Sequence, residues 1–334
     1  MESTTHKTLI IADYSLDREG NSVEKDGQHL DVIITYCRSE GHQVMGILNG
    51  FAKLDVSHTI KDIYFLGNYT NSITFIHQTT RPRFNVHLIP IYGAPFTTFS
   101  KFNGAVNMDD VVEPTNTKES LISFIYYGQR PLRDKIVTKL FNNDLLQNTI
   151  YHSHHKQPGE NIIEKTDSNK EIHHLLPLIS DFQYDDGHND YYPNTIELAS
   201  KSLFYIISET NADLHDSKFN VLTEKSAVPF FSKTIPVLFT LNSLETLKYL
   251  QDLGFDCFTD IIPEEVYKIP QDDRIDEVLK IVKNTSLDFY TKNQQRFDKN
   301  YEIANLLSKN NLNYVLDGIN KIVKDNNLSV HNIV

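Results

Sequence analysis

Tryptophan is absent from the 334-residue chain, and cysteine occurs only twice, at Cys37 and Cys257. Two cysteines exclude a disulfide framework and are typical of a protein from a reducing compartment. No apolar run approaches the ~20 residues that a membrane-spanning helix needs. The polar residues 1–7 lead directly into an apolar run, so we expect no signal peptide and a cytoplasmic location.

Positive charge is also scarce, since 32 Lys and Arg face 44 Asp and Glu, for a formal net charge of -12. That balance argues against a general binder of phosphate backbones, although it leaves room for a local basic pocket. Hydrophobic residues make up 40% of the chain, and 17 Tyr and 19 Phe supply bulk for a core. At about 150 residues per domain, the length predicts two domains.

The N-terminal half predicts a small doubly wound α/β domain over residues 1–118. Its pattern is a strand at 8–13, a helix at 29–40 that ends at Gly41 and a strand at 43–48, which together form a βαβ unit. Further strands are predicted at 62–66, 72–77 and 86–91. The boundary is placed in the polar, irregular stretch 104–119.

A second α/β rhythm predicts another doubly wound domain over residues 119–272. The strands are predicted at 121–127, 148–152, 202–208 and 235–239, and the helices at 132–141, 223–232 and 244–253. Residues 154–194 are expected to be mostly loop with a short helix. Residues 273–334 are predicted to be a helical tail, interrupted at Asn310 and Asn311, that is long enough to cross back to the N-terminal domain.

The expected architecture is therefore two Rossmann-like domains that face a cleft, with a C-terminal helical tail. In such folds ligands bind at the carboxyl ends of the strands, next to helix N-termini.

Two arginines follow the strand 121–127, in a Gly turn at the start of a helix. The helix N-terminus favours an anion, and the guanidinium groups of Arg130 and Arg133 suit a diphosphate. Pro131 in the first turn costs the helix little. The alternative is that both arginines are ordinary solvated residues that pair with carboxylates such as Asp134.

A second motif follows the strand 202–208. Glu209 lies at the carboxyl end of that strand, and Thr223 is a reasonable N-cap for a helix whose first turn holds Glu224 and Lys225. A carboxylate there accepts ribose hydroxyls, and an ammonium group neutralises phosphate. The alternative is a capped helix whose glutamate only offsets the helix dipole.

Four ordered segments resemble the donor-binding half of fucosyltransferase-like glycosyltransferases, and more closely the glycosyltransferases of tailed bacteriophages. The resemblance covers roughly residues 120–274 and rests on the following segments: 128–133, Ser208-Glu209-Thr210, Thr223-Glu224-Lys225 with the apolar-Pro segment 230–238, and Leu253-Gly254-Phe255 with Phe258. Ser208-Glu209-Thr210 replaces the Glu-Asn-Ser of the fucosyltransferase group, and Gly128-Gln129 replaces an Asn before the first arginine. The identity of the donor sugar is therefore not transferred.

The resemblance implies a B-type glycosyltransferase with a nucleoside-diphosphate-sugar donor on the C-terminal domain. Arg130 or Arg133 would hold the pyrophosphate together with Lys225, and Glu224 would hold the ribose. The rest of the pocket would be lined by Tyr127, Ser208, Glu209 and Thr210. Such enzymes usually need no metal or other cofactor, because basic side chains and helix N–H groups stabilise the leaving diphosphate.

Transfer to a hydroxyl benefits from a general base. Asp13 closes the first predicted strand and is the candidate, with Asp17, Glu19 and His77 as further possibilities. The alternative is that Asp13 only caps the following loop or helix.

The segment 152–190 is rich in histidine and aspartate, which are suitable metal ligands. Its spacing matches no compact metal motif, so we expect no metal site. His154 or His155, which follow a predicted strand, could instead contact the donor.

The leading hypothesis is a glycosyltransferase whose acceptor is a hydroxyl of a glycan, a lipid or small molecule, or a hydroxylated base in phage DNA. Enzymes of the DNA-modifying class act on an extruded base. A basic surface for DNA in the N-terminal half could be formed by Lys53, Arg81, Arg83 and Lys101. The alternatives are a non-catalytic protein that retains the fold to bind a nucleotide or a partner, and another enzyme that handles phosphate in the same cleft.

Overall fold

The structure is a computed structural model that describes most of residues 114–333 and, before residue 114, four separate strands. The described residues are 7–11, 32–37, 62–67, 85–90, 114–126, 129–153, 161–176, 178–179, 191–208, 224–240, 243–325 and 329–333.

Within these ranges the secondary structure alternates between strands and helices for much of the chain. The strands are β1 (Lys7–Ile11), β2 (Val32–Cys37), β3 (Asp62–Gly67), β4 (Asn85–Pro90), β5 (Ser120–Tyr126), β6 (Thr149–Ser153), β7 (Asn161–Ile163), β8 (Leu178–Ile179), β9 (Ser202–Ile207), β10 (Ile235–Leu238) and β11 (Ser329–Ile333). The α-helices are α1 (Pro131–Asn142), α2 (Tyr191–Ser200), α3 (Val228–Phe231), α4 (Ser243–Asp252), α5 (Gln271–Lys283), α6 (Asp288–Lys292) and α7 (Gln294–Asp325). Short 3₁₀ helices lie at Leu146–Asn148, Asp167–Ile172, Glu224–Ser226 and Glu264–Lys268.

The chain divides into two compact units. The first comprises Met1–Ala94, Lys218–Val221 and Asn310–Val334, and the second comprises Pro95–Ser217 and Leu222–Lys309. Because the division falls between residues 309 and 310, α7 begins in the second unit and ends in the first. The sequence-based limits of 1–118, 119–272 and 273–334 stay predictions.

The first unit contains a parallel five-stranded sheet in the order β11-β1-β2-β3-β4. The helix predicted at 29–40 is wrong, because the strand β2 occupies residues 32–37 of that range. Val32-Ile33-Ile34-Thr35 is a β-branched run, which favours a strand. A strand between two neighbours in a parallel sheet also lacks the alternation that would separate it from a buried helix. The predicted strands at 43–48 and 72–77 lie outside the described residues.

The C-terminal end of the chain joins this sheet. β11 pairs with β1 in parallel, and the register shifts between Thr8 and Leu9, whose partners are Val330 and Asn332. The expected interruption at Asn310 and Asn311 is wrong, because α7 runs through both positions. Asparagine lowers helix propensity by less than about 1 kcal/mol per residue, which the surrounding helix overrides.

The second unit contains a parallel four-stranded sheet in the order β10-β9-β5-β6, which confirms an α/β class for this half. Every residue of β9 and β10 is buried, as are the last five of β5. Strands buried in this way need cover on both faces, which explains their continuous apolar runs. β7 and β8 form a separate antiparallel pair within the stretch expected to be mostly loop.

The helix predicted at 223–232 is shorter than expected. The chain instead forms the 3₁₀ turn Glu224–Ser226 and then α3. Pro229 lies in the first turn of α3, where it is tolerated, but its ring and missing N–H break a helix that arrives from upstream. Lys233 has a positive φ of 54°, so the chain turns sharply before β10.

Lys118 is a buried lysine just before β5. It is 9% exposed, and its Nζ donates to the carbonyl oxygen of Ser200 at 2.7 Å and lies 4.5 Å from the ring centroid of Tyr290. Burial, with a smaller effect from the charge of Lys233, lowers the pKa of Lys118 from 10.5 to about 7. The folded state therefore favours the neutral amine, whereas the unfolded chain stays protonated up to about pH 10.5.

We expect stability to rise with pH between about 7 and 9.5, because across that window the unfolded chain binds the proton that folded Lys118 has lost. Lys118→Met should flatten the rise in melting temperature over this range. Lys280 is exposed, so the control variant Lys280→Met should show the same rise as the wild type. The series stops at pH 9.5 because buried tyrosines with raised pKa values, such as Tyr267, reverse the trend above pH 10. An unchanged slope in Lys118→Met would contradict the assignment.

Candidate ligand site at the carboxyl edge of the second sheet

The order of the second sheet reverses at β5. This strand comes first in its sheet, and its neighbours are β6 on one side and β9 on the other. The next strand after β5 in this sheet, β6, and the next strand after β9, β10, therefore lie on opposite sides of the β5–β9 pair. In open α/β sheets ligands bind outside the carboxyl ends of the strands at such a reversal. Here those ends are Tyr126 of β5 and Ile207 of β9.

α1 starts at Pro131, five residues after Tyr126, the last residue of β5. Arg130 is its N-cap, in extended conformation with φ -148° and ψ 153°, and Pro131 opens the helix. Among the described residues no side chain caps this end. The carbonyl oxygen of Arg130 accepts the first helical hydrogen bond, from the N–H of Asp134 at 3.0 Å, and the Arg130 side chain is exposed. The positive end of the helix dipole and a guanidinium group thus lie together.

Arg133 joins three elements at this edge. Its side chain is 1% exposed, and its Nη2 donates to the carbonyl oxygen of Ser208 at 3.1 Å. Its Cζ also lies 5.3 Å from the ring centroid of Tyr126. The guanidinium group therefore connects the first turn of α1 with the ends of β5 and β9.

Ser208 is the residue directly after β9 and is 4% exposed. Its carbonyl oxygen accepts the hydrogen bond from Arg133. Within the described part of the chain, its buried Oγ has no hydrogen-bond partner. Buried hydroxyls normally have one, so this Oγ is a candidate for contact with a ligand or an ordered water.

Arg133 and Asp134, both in α1, carry opposite charges that partly balance each other at this edge. Burial raises the pKa of Tyr126, the negative charge of Asp134 raises it further, and the positive charge of Arg133 opposes that effect. Tyr126 is therefore a neutral phenol at physiological pH. Asp134 is 2% exposed, and its Oδ1 and Oδ2 accept hydrogen bonds from Gln129 Nε2 and Thr166 Oγ1 at 2.8 and 2.7 Å.

The residues predicted for the site fall into three groups. Arg133 and Ser208 are brought into contact. Arg130 is exposed at the start of α1, and Lys225 is 8% exposed within the 3₁₀ turn Glu224–Ser226, where the structure describes Glu224 by its backbone. The remaining positions lie outside the described residues: Asp13, Tyr127, Glu209 and Thr210.

Sequence reasoning missed two members of this edge, Thr166 and the fully buried Asn169. They form a capping box at the start of the 3₁₀ helix Asp167–Ile172. A Thr-x-x-Asn spacing in a polar stretch is a local signal for such a box. Nothing local, however, indicates that Thr166 contacts Asp134, which is 32 residues away in the chain.

The histidines near this edge have structural contacts. His173 Nε2 is 2.9 Å from the carbonyl oxygen of Thr166, and the ring of His174 meets that of Phe141 edge-on at 5.7 Å. The described residues contain no group of three or more His, Cys, Asp or Glu side chains arranged to hold a metal ion. His154 and His155 lie outside them. No helix of the described chain is long and apolar enough to cross a membrane.

Comparisons with known proteins add little to this geometry. No family model matches the chain, and no curated protein matches it. A solved structure of the DNA-modifying enzyme beta-glucosyltransferase, determined with and without its substrate uridine diphosphoglucose, aligns with a TM-score of 0.37 and 11% identity. The alignment covers 87% of this chain and 99% of that one. At that level the likeness assigns neither a fold nor an activity to this chain.

We expect Arg133→Met to destabilise the second unit by about 3 kcal/mol, because it removes a buried charged hydrogen bond and the contact with Tyr126. Thermal unfolding measures the effect. Arg130→Met, three residues away and exposed, is the control and should leave the melting temperature unchanged. Equal melting temperatures for the wild type and Arg133→Met would show that Arg133 does not hold this edge together.

Proposed function

We propose that this chain is a glycosyltransferase that takes a sugar from a nucleoside-diphosphate-sugar donor, and that the donor binds at the carboxyl ends of β5 and β9. The observation that carries the proposal is the start of α1 at the sheet's reversal point, with an exposed Arg130 at the N-cap. A diphosphate is the ligand that a guanidinium fork next to a helix N-terminus suits. The ordered motifs between residues 120 and 274 support the glycosyl donor class.

The two arginines then have different roles. The guanidinium group of Arg133 is buried and donates to the Ser208 carbonyl oxygen, so it supports the edge. Arg130 carries the exposed guanidinium group and is the arginine that we assign to the diphosphate, together with Lys225. Glu224 is assigned to the ribose hydroxyls, and the pocket is completed by Tyr127, Ser208, Glu209 and Thr210.

The proposed reaction needs no metal for the chemical step. The acceptor oxygen attacks the anomeric carbon, the bond from that carbon to the diphosphate oxygen breaks, and the electron pair leaves with the diphosphate. Arg130, Lys225 and the dipole of α1 would stabilise that charge. The proton of the acceptor hydroxyl passes to a base, for which we propose Asp13. It follows β1, where the order of the first sheet also reverses, between β2 and β11.

The acceptor is a hydroxyl group of a glycan, a lipid or small molecule, or a hydroxylated base in DNA. A net charge of -12 does not favour DNA in general, but a local basic surface would suffice. The acceptor is therefore an outcome to be measured once donor turnover is established.

A nucleoside diphosphate should raise the melting temperature, because a ligand that binds only the native state stabilises it. UDP, GDP and CDP are the probes. Arg130→Met should weaken the binding of the active diphosphate roughly tenfold to hundredfold, since it removes a charged hydrogen-bond donor. Lys135→Met is the matched control: Lys135 lies on the same helix but pairs with Asp272 at 2.8 Å, so affinity should change by less than about twofold.

Binding of a diphosphate without sugar transfer or donor hydrolysis would favour a non-catalytic nucleotide-binding protein. If none of the three diphosphates shifts the melting temperature, the proposed donor site is wrong.

Asp13→Asn should lower turnover about 100-fold or more while the Kd of the donor stays unchanged, because the amide cannot accept the proton. Steady-state kinetics with the active nucleotide sugar, paired with calorimetric titration of the diphosphate, separates the two effects. Asp26→Asn makes the same chemical change at an aspartate that is not a candidate base, and this control should keep wild-type turnover. Full activity of Asp13→Asn would remove Asp13 from the reaction.

A further inference from the structure

Gln129 directly precedes Arg130, and its side-chain amide makes three hydrogen bonds. Its Nε2 donates to Asp134 Oδ1 at 2.8 Å and to the carbonyl oxygen of Glu164 at 2.9 Å. Its Oε1 accepts from the backbone N–H of Glu164 at 3.2 Å. The amide thus pairs with the backbone of Glu164 as a strand neighbour would, and it fixes the residue that precedes Arg130.

Asp134 completes the contact between the two segments. Its carboxylate accepts from Gln129 through Oδ1 and from Thr166 Oγ1 through Oδ2, and its N–H donates to the carbonyl oxygen of Arg130. Asp134 is 2% exposed, so its carboxylate is largely shielded from water, which strengthens these hydrogen bonds. Arg130 is therefore held from both sides, by its neighbour Gln129 and by Asp134.

Thr166 is itself oriented by hydrogen bonds to Ser168 and Asn169. Its Oγ1 accepts from the N–H of Ser168 at 3.2 Å, which leaves the hydroxyl proton for Asp134. Its own N–H donates to Asn169 Oδ1 at 2.9 Å, and Asn169 Nδ2 donates to the carbonyl oxygen of Glu164 at 2.8 Å. Asn169 is fully buried. The hydroxyl of Thr166 is thus presented to Asp134 by a preformed turn.

We propose that Thr166 is a positioning residue: through Asp134 it fixes the backbone of Arg130 in the orientation that receives the diphosphate. This inference rests on the proposed function and deepens it, because it makes the affinity for a diphosphate depend on a segment 36 residues away in the chain. Binding sites gain affinity when such groups are held before the ligand arrives, since less conformational freedom is then lost.

Thr166→Val keeps the shape of the side chain and removes the hydroxyl. We expect it to weaken the binding of UDP, or of whichever diphosphate binds the wild type, about tenfold. Thr138→Val is the matched control, because Thr138 Oγ1 also donates to Asp134, but to its backbone carbonyl oxygen, at 3.0 Å. That variant should bind within about twofold of wild type, and Thr166→Ser, which retains a hydroxyl, should restore most of the affinity.

A double-mutant cycle tests whether Thr166 acts through Arg130. In an Arg130→Met background, Thr166→Val should cause no further loss of affinity beyond about twofold. An undiminished tenfold loss in that background would overturn the proposal, because Thr166 would then contribute independently of Arg130.

Hydrogen exchange provides a readout without any ligand. The amides of residues 129, 130 and 132–134 should exchange faster in Thr166→Val than in wild type, and Thr138→Val should leave them unchanged. Wild-type exchange rates in Thr166→Val would overturn the proposal. If no diphosphate binds the wild type, the proposed function fails while this experiment still decides whether Thr166 holds the turn. Should Thr166→Val not fold, Gln129→Met, which removes the other donor to Asp134, should give the same faster exchange.

Discussion

The hydrogen bond from the buried guanidinium group of Arg133 to the carbonyl oxygen of Ser208 joins the first turn of α1 to the end of β9, at the point where the second sheet reverses its order. A buried cation needs compensation, and here the compensation comes from a backbone carbonyl, the ring of Tyr126 and the nearby charge of Asp134. Two charged residues near the start of α1, Arg133 and Asp134, are therefore buried. Arg130 remains exposed, at the positive end of the helix.

This arrangement reconciles an acidic chain with a site for an anion. The net charge of -12 describes the whole sequence, whereas a ligand responds mainly to the charges within a Debye length, about 8 to 10 Å at physiological salt. At the start of α1 those charges include Arg130, Arg133 and Asp134, and the hydrogen bonds from Gln129 and Thr166 reach both oxygens of the Asp134 carboxylate. The helix dipole adds to the local positive field.

Much of the second sheet could be predicted from the sequence. The buried strands β5, β9 and β10 are rich in apolar residues, and polar residues bound each of these runs. α1 was predicted for similar reasons, with Pro131 at its start. β2 was not, since a continuous run of β-branched residues in a central strand has no alternation to separate it from a helix. The course of α7 through Asn310 and Asn311 shows a weak local preference overridden by a long helix.

The candidate site was predictable only in part, for a physical reason. Arg130, Arg133 and Ser208 follow strands, and a parallel sheet brings the ends of its strands to one edge. The role of each arginine depends on whether its side chain is buried. The spacing of Arg130 and Arg133 in the sequence does not show which of them is buried. Thr166 and Asn169 reach the site through hydrogen bonds between segments more than 30 residues apart, and such contacts produce no periodic pattern in the chain.

In the proposed site a nucleoside diphosphate binds beside Arg130, at the carboxyl ends of β5 and β9. A crystal structure of the chain grown with UDP would show where the diphosphate lies. The account predicts diphosphate oxygens within hydrogen-bonding distance of the Arg130 guanidinium group and next to the first turn of α1, with Arg133 still bound to the Ser208 carbonyl oxygen. A diphosphate bound at the ends of β1 and β11 instead, with Arg130 remote from it, would contradict the account.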